Sequence, residues 1–133
     1  MSVEGESRMD ERDVVVRYFA AMRRGAEAET EMMALFADDA VYVEPFSGTV
    51  RVSEGLDAIR ATLREGWAHP LPELEITVDE IVIEPGVATA AWTCASPALP
   101  SPVAGRDRYS VANGKITRLE VEAALELEKP VFA

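Results

Sequence analysis

The run Leu71–Glu84 reads as one long strand, yet its apolar residues change faces partway along. Leu74, Ile76 and Val78 are even-numbered, whereas Ile81 and Ile83 are odd. Alternate residues of an unbroken strand share a face, so the swap requires an extra residue near Asp79–Glu80. Such a bulge bends the sheet that contains it. Three more strand-like runs follow, Val87–Ser96, Val103–Ala112 and Lys115–Leu125. They are divided by Pro85-Gly86, by the proline-rich "SPALPSP" of Ser96–Pro102, which could rim a pocket mouth or be a stiff loop, and by Asn113-Gly114, a strong hairpin signal. Connections this short join antiparallel neighbours. The C-terminal half is therefore expected to be a curved antiparallel sheet.

The N-terminal half carries helical spacing. From about Asp13, Val14, Tyr18 and Met22 recur with Val15 and Phe19 beside them, and Gly25 supplies a stop. "AETEMMALFADD" reads as a short second helix with Met32, Leu35 and Phe36 on one side. "AVYVEPF" is a strand that Pro45 places at a sheet edge or at its own end. After a connection holding Gly48 and Gly55, "LDAIRATLREGW" puts Leu56, Ile59, Leu63 and Trp67 on one helical face. Two helices, a strand, a helix and then four strands is an α+β order, not a doubly wound one. The expected layout is a flexible stretch over 1–12, one domain over 13–125 and a tail over 126–133. Helices covering one side of a curved sheet enclose an interior, and an incompletely filled interior is a pocket.

Charge and composition narrow the function. The 133 residues carry a formal net charge of −11, which repels nucleic acid and anionic membrane surfaces and makes neither an expected partner. No 18-residue apolar run occurs, and "MSVEGESRMDERD" lacks the basic-then-apolar order of a signal peptide, so a cytoplasmic location is expected. The one cysteine, Cys94, reads as a small strand residue and not as a nucleophile. With no Cys/His cluster and no glycine-rich phosphate loop, no metal and no cofactor are expected.

The chemistry-bearing residues stand in the strands. Glu44 shares its parity with Tyr42 and Phe46, so its carboxyl lies between two aromatic rings, either at a wet edge or on a pocket wall. Asp107 shares parity with Tyr109 and Val111, opposite Arg106, Arg108 and Ser110. An acid on an apolar face must be paired, hydrogen-bonded or neutral, and a neutral one can donate to a developing oxyanion. Tyr18 adds a hydroxyl from the apolar side of the first helix. The plainer alternatives are a solvated Glu44, an Asp107 paired with Arg17 or Arg60, and a Tyr18 that only fills the core. Trp67 and Trp92 are expected in the core or cavity wall, His69 at a surface turn, and Ser47 in a turn or at the pocket mouth.

Several of these stretches together resemble a known family. Arg17-Tyr18, "FADDA", Glu44-Pro45, the "G-x-x-A-I-R" that opens the third helix and the hairpin "NGKITRLEV" are similar to the nuclear transport factor 2-like superfamily. Within it the ketosteroid isomerases and SnoaL-like polyketide cyclases are most similar, over about residues 12–125. The resemblance implies a cone-shaped fold, three N-terminal helices packed on a curved, mainly antiparallel sheet. It implies Glu44 as general base, Tyr18 as catalytic tyrosine and Asp107 as a protonated partner, with Gly105-Arg106-Asp107 matching the cyclases' "G-x-D". The isomerases carry aspartate at the base position. Glutamate moves the carboxylate by about 1.5 Å, which favours acid/base chemistry on a differently shaped substrate.

The expectation is thus a cofactor-independent isomerase or cyclase for a small apolar carbonyl compound, with Tyr42, Phe46, Trp67, Trp92 and Tyr109 lining its pocket. Two alternatives stand beside it: a non-catalytic ligand-binding or dimeric module, and an epoxide hydrolase. The hydrolase ranks lower because its Arg-x-Asp pair has no counterpart around Trp92-Thr93-Cys94. A second copy of the chain is an expected partner, through Leu119, Val121, Ala123 and Leu125 on an outer sheet face, unless these pack on the protein's own helices.

Overall fold

A computed structural model describes residues 10–123. Helix α1 spans Glu11–Arg24, a 3-10 turn Gly25–Ala28 and helix α2 Glu29–Met33. Strands β1 (Phe36–Glu44) and β2 (Arg51–Glu54) precede helix α3 (Leu56–Ala68). Strands β3 (Glu75–Glu84), β4 (Val87–Ala95), β5 (Val103–Ala112) and β6 (Lys115–Ala123) complete the described chain. All six strands form one sheet in the order β2-β1-β6-β5-β4-β3. Every neighbouring pair is antiparallel except β1 with β6.

The parity swap has the expected cause. The β3–β4 register slips between Val78 and Glu80, leaving Asp79 as the extra residue, and its carboxylate accepts a 2.7 Å bond from the Thr93 hydroxyl. The hairpin at Asn113-Gly114 has positive φ at both residues, 54° and 75°, the geometry that matches strand twist. Helix α1 starts two residues earlier than its apolar spacing suggests, because Asp10 and Asp13 form a reciprocal capping box. Its far end stops at Gly25, whose φ of 69° suits glycine.

Three expectations need correction. "FADD" does not end a helix: α2 closes at Met33, and Phe36–Asp39 already belong to β1. The stretch read as a connection contains β2, the sheet's edge on that side. Pro45 therefore marks the end of β1, which lies inside the sheet. Leu119 and Val121 face the core, 0 % and 7 % exposed, so they take the alternative reading in which they pack against the protein's own helices. Leu125 lies outside the described residues, as do 1–9 and the tail.

Helix α1 packs mainly on β3 and β4, and α3 on β1 and β2. Glu11 accepts from the Gly86 amide at one end of α1, and Arg23 donates to the Ile76 carbonyl at the other, at 3.0 Å through Nη2. The two helices thus cover the flanks of the concave face, and Tyr18 of α1 reaches Tyr109 on β5. At the proline-rich loop, Leu99 turns inward and is 8 % exposed.

Register arranges the concave face in transverse rows. Tyr42 lies beside Ser53 on β2 and Leu119 on β6, Leu119 beside Tyr109, and Tyr109 beside Ala88. In the next row Arg51 opposes Glu44, and Val121 opposes Asp107, which opposes Ala90. The pairing of Val43 with Glu120 puts Glu44 in step with Val121. In the third row Trp92 lies against Gly105, and Gly105 against Ala123. The indole lies over the glycine: a Cβ there would stand within 2.6 Å of three of its ring atoms. Gly105→Ala is expected to cost about 1–3 kcal/mol by overpacking, measured by denaturant unfolding. In a Trp92→Leu background the same change should cost markedly less, and an equal cost in both would mean the ring is not what the methyl meets.

Candidate active site

Among the described residues the buried polar side chains are Glu44, Ser53 and Asp107, at 1 %, 7 % and 3 % exposure. The chain has three tyrosines, Tyr18, Tyr42 and Tyr109, and all three are buried in the same region. Of the expected wall residues, Trp92 and Tyr109 bond directly to Asp107, and Phe46 bonds to Glu44 through its amide.

Glu44 and Asp107 occupy one transverse row with only β6 between their strands, which sets their backbones about 10 Å apart. Glu44 Oε1 accepts a 2.7 Å bond from Arg51 Nε, and Oε2 accepts 2.7 Å from the Phe46 amide. The edge strand supplies the cation and the chain's turn past Pro45 supplies the amide. Arg51 also reaches out to Glu65 on α3, Nη1 to Oε1 at 3.1 Å. Each Glu44 oxygen keeps a second lone-pair site for another donor.

Asp107 is held differently. Trp92 Nε1 donates to Oδ1 at 2.8 Å, and the Tyr109 hydroxyl donates to Oδ2 at 2.7 Å. Its partners are thus neutral groups, neither Arg17, which is exposed, nor Arg60, which lies 3.5 Å from Glu29. Burial pushes the Asp107 carboxyl up to about 6, opposed by the hydrogen bonds from Tyr109 and Trp92. Gly105 explains the "G-x-D" spacing: the residue without a side chain seats the indole, and the acid two positions on, on the same face, receives its N–H.

The tyrosines join the two acids. Tyr18 packs edge-on to Tyr109, with ring centroids 5.4 Å apart, and its hydroxyl is within reach of that of Tyr42. Burial, then Tyr42, then the Asp107 charge raise the Tyr18 hydroxyl well above its ordinary range, and Glu44 adds to this. Tyr42 moves the same way, through burial, then Glu44, then Asp107. Both phenols therefore keep their protons at any ordinary pH.

Of the other expected wall residues, Phe46 stacks obliquely on Trp92 with centroids 6.5 Å apart. Trp67 packs beside Gly25, and no hydrogen bond or ring contact joins it to the acid cluster among the described residues. His69 is exposed, and Ser47 bonds the Thr49 carbonyl in a turn. Cys94 is half-buried on β4, and burial raises its thiol. Among the described residues no group of three His, Cys, Asp or Glu side chains could hold a metal ion, and no helix is long and apolar enough to cross a membrane. Arg51 was missed because 47–55 reads as a connection. The signal was present in the alternation Val50-Arg51-Val52-Ser53, a four-residue strand pattern.

The Asp107 environment fixes a pH dependence. A folded value of about 6 against an ordinary 3.8 is worth about 3 kcal/mol. Because the folded value is raised, this stability is fully present below pH 3.8 and lost as pH rises through about 6. The unfolding free energy of Asp107→Asn minus that of wild type should therefore grow by about 2.4 kcal/mol from pH 4 to pH 7. Parallel stability–pH curves would contradict the desolvation described.

With the geometry in place, comparison with known proteins identifies the family. The SnoaL-like domain matches residues 15–119. No curated protein matches the chain. Among solved structures, a candidate polyketide cyclase from Sinorhizobium meliloti is 22 % identical, with TM-score 0.68 over 83 % of this chain and 94 % of its own. A candidate ketosteroid isomerase from Kribbella flavida is 17 % identical, with TM-score 0.67 over 88 % and 79 %. A nuclear transport factor 2-like protein of unknown function from Cytophaga hutchinsonii is 14 % identical, with TM-score 0.68 over 90 % and 94 %. At these identities the likeness is one of fold. The chain belongs to the SnoaL-like domain family and has the nuclear transport factor 2-like fold.

Proposed function

We propose that this protein is a cofactor-independent acid/base enzyme, an isomerase or cyclase acting on a small, largely apolar carbonyl compound. One observation carries the reading: the two buried acids, Glu44 and Asp107, stand in one row of the sheet's inner face with only β6 between their strands, among buried aromatic residues. A family that includes candidate cyclases and isomerases supports the reaction class.

In this mechanism Glu44 takes a proton from the carbon next to the carbonyl. The C–H electron pair moves into a new C=C bond and the carbonyl π pair moves onto oxygen. Tyr18 and Tyr42 donate to that oxyanion, as does Asp107 in its protonated form. Phe46, Trp92 and Tyr109 present apolar surface to the substrate body. Return of the proton to another carbon completes an isomerisation, while attack of the enolate carbon on a second carbonyl of the same molecule closes a ring, that carbonyl's π pair becoming an alkoxide that takes the proton back from Glu44. No metal or cofactor has a part in these steps.

A specific observation favours a second reading. All four carboxyl oxygens of Glu44 and Asp107 already accept bonds from the protein, which suits a pocket that only binds its ligand. A panel of β,γ-unsaturated ketones, followed by absorbance of the conjugated enone, separates the two. The enzyme reading expects turnover that falls at least about hundredfold in Glu44→Gln. Binding that survives both Glu44→Gln and Asp107→Asn, without turnover in wild type, would favour the binding module.

The proposal includes a cytoplasmic location and a homodimer, seated on the sheet's outer face. There Arg106 pairs across strands with Glu122 and Arg108 with Glu120, beside the exposed Val82. A basic column next to an acidic one is self-complementary under a two-fold axis. Sedimentation at rising salt should show a dimer that weakens, and a monomer at all concentrations would remove this part of the proposal.

A further inference from the structure

The cation beside Glu44 has a second aspect. Arg51 lies at the edge of the sheet, and its side chain is 34 % exposed, so it joins the buried site to solvent. Its inner bond is to a carboxylate that is 2 % exposed and cannot leave without stranding a charge. Its outer bond is to Glu65, 64 % exposed, longer at 3.1 Å and of the surface kind that contributes little. The Nη2 amino group, which lies between those two donors on the guanidinium plane, has no protein partner among the described residues. One face of this guanidinium is thus fixed, and the other is closed only by a side chain that water can replace.

We propose that Arg51 is a specificity-determining residue that reads a carboxylate on the substrate, with Glu65 as the stand-in displaced on binding. The inference rests on the acid/base reading above and deepens it: the substrate is a carbonyl compound with an apolar body and a carboxylate at the β2 edge. Charge is conserved in the exchange, since one carboxylate replaces another at the same cation. Arg51 keeps its Nε on Glu44 throughout, so the residue that locates the base also measures the distance from base to substrate anion. The planar fork that Nη1 and Nη2 offer after Glu65 leaves is the geometry that takes a carboxylate by two parallel bonds. The tilted Phe46–Trp92 pair supplies aromatic surface for the apolar body on the pocket side of Glu44.

The test is a binding titration with 2-naphthoate and its uncharged isostere 2-naphthamide, followed by calorimetry at low and moderate salt. Wild type is expected to hold the carboxylate at least about tenfold more tightly than the amide, with the preference shrinking as salt rises. Glu65→Gln removes the competitor and should tighten 2-naphthoate several-fold while leaving 2-naphthamide unchanged. Arg51→Met should lose the preference. Because that variant leaves Glu44 unpaired and could unfold, it is paired with Arg51→Met/Glu44→Gln, which removes both charges together.

Equal affinity for the two probes in wild type and Glu65→Gln, or binding of neither, would overturn the inference. The readout involves no turnover, so its failure is distinct from that of the acid/base reading. Ketone turnover lost in Glu44→Gln without any carboxylate preference would leave the enzyme proposal standing and remove this one.

Discussion

A carboxylate taken out of water costs several kcal/mol unless its charge is met, and breaking a buried pair typically costs about 3–5 kcal/mol. Glu44 is met by a guanidinium from the edge strand and by its own chain two residues on. That requirement explains three local features at once: a strand that ends directly after the acid, a proline that turns the chain, and a short β2 whose register delivers Arg51 opposite Glu44. Asp107 is met without any cation. Neutral donors cannot compensate its charge fully, which is why its carboxyl is pushed upward. The same concave face therefore carries one acid tied to a positive charge and one tied to an indole and a phenol. Environment, not residue type, separates the two acids.

Much of this was legible in the sequence. The parity of Asp107 and Tyr109 placed both on the buried face, and the even-to-odd switch after Val78 announced the bulge at Asp79. Helical spacing found α1 and α3, and Asn113-Gly114 found the last hairpin. The residues 36–39 misled because Leu35 and Phe36 continue the helical spacing of Met32, while Ala37-Asp38-Asp39 gives no apolar alternation. Phe36 takes its strand state from pairing with Ile116 on β6, a contact far along the chain that local pattern does not contain. Arg51 was hidden for a related reason. Four residues make too short a strand to stand out, and only the register with β1 shows that the basic side chain faces inward.

The pairing of roles between Gly105 and Trp92 shows how a motif acquires meaning. A lone glycine in a strand normally weakens it. Here its missing side chain is the seat of the indole, which in turn orients the Asp107 carboxyl. Asp107 then fixes the Tyr109 hydroxyl, and Tyr109 packs against Tyr18 on the opposing helix. Packing and hydrogen bonding are thus continuous from the sheet's third row to the helix over it. A change of one methyl group at Gly105 is carried to the Tyr18 ring through contacts that leave little slack.

The parallel contact between β1 and β6 has a consequence for how the protein comes into being. The Glu44–Arg51 half of the site emerges early from the ribosome, and the Asp107 half late. The strand that sits between them is the last of the described chain. Until β6 is synthesised the early hairpin has no neighbour on its inner side, and its buried acid has only half of its surroundings. The site thus closes as the final strand slots into the middle of the sheet, a long-range step that is entropically slow. Assembly of the acid cluster and completion of the fold are one event.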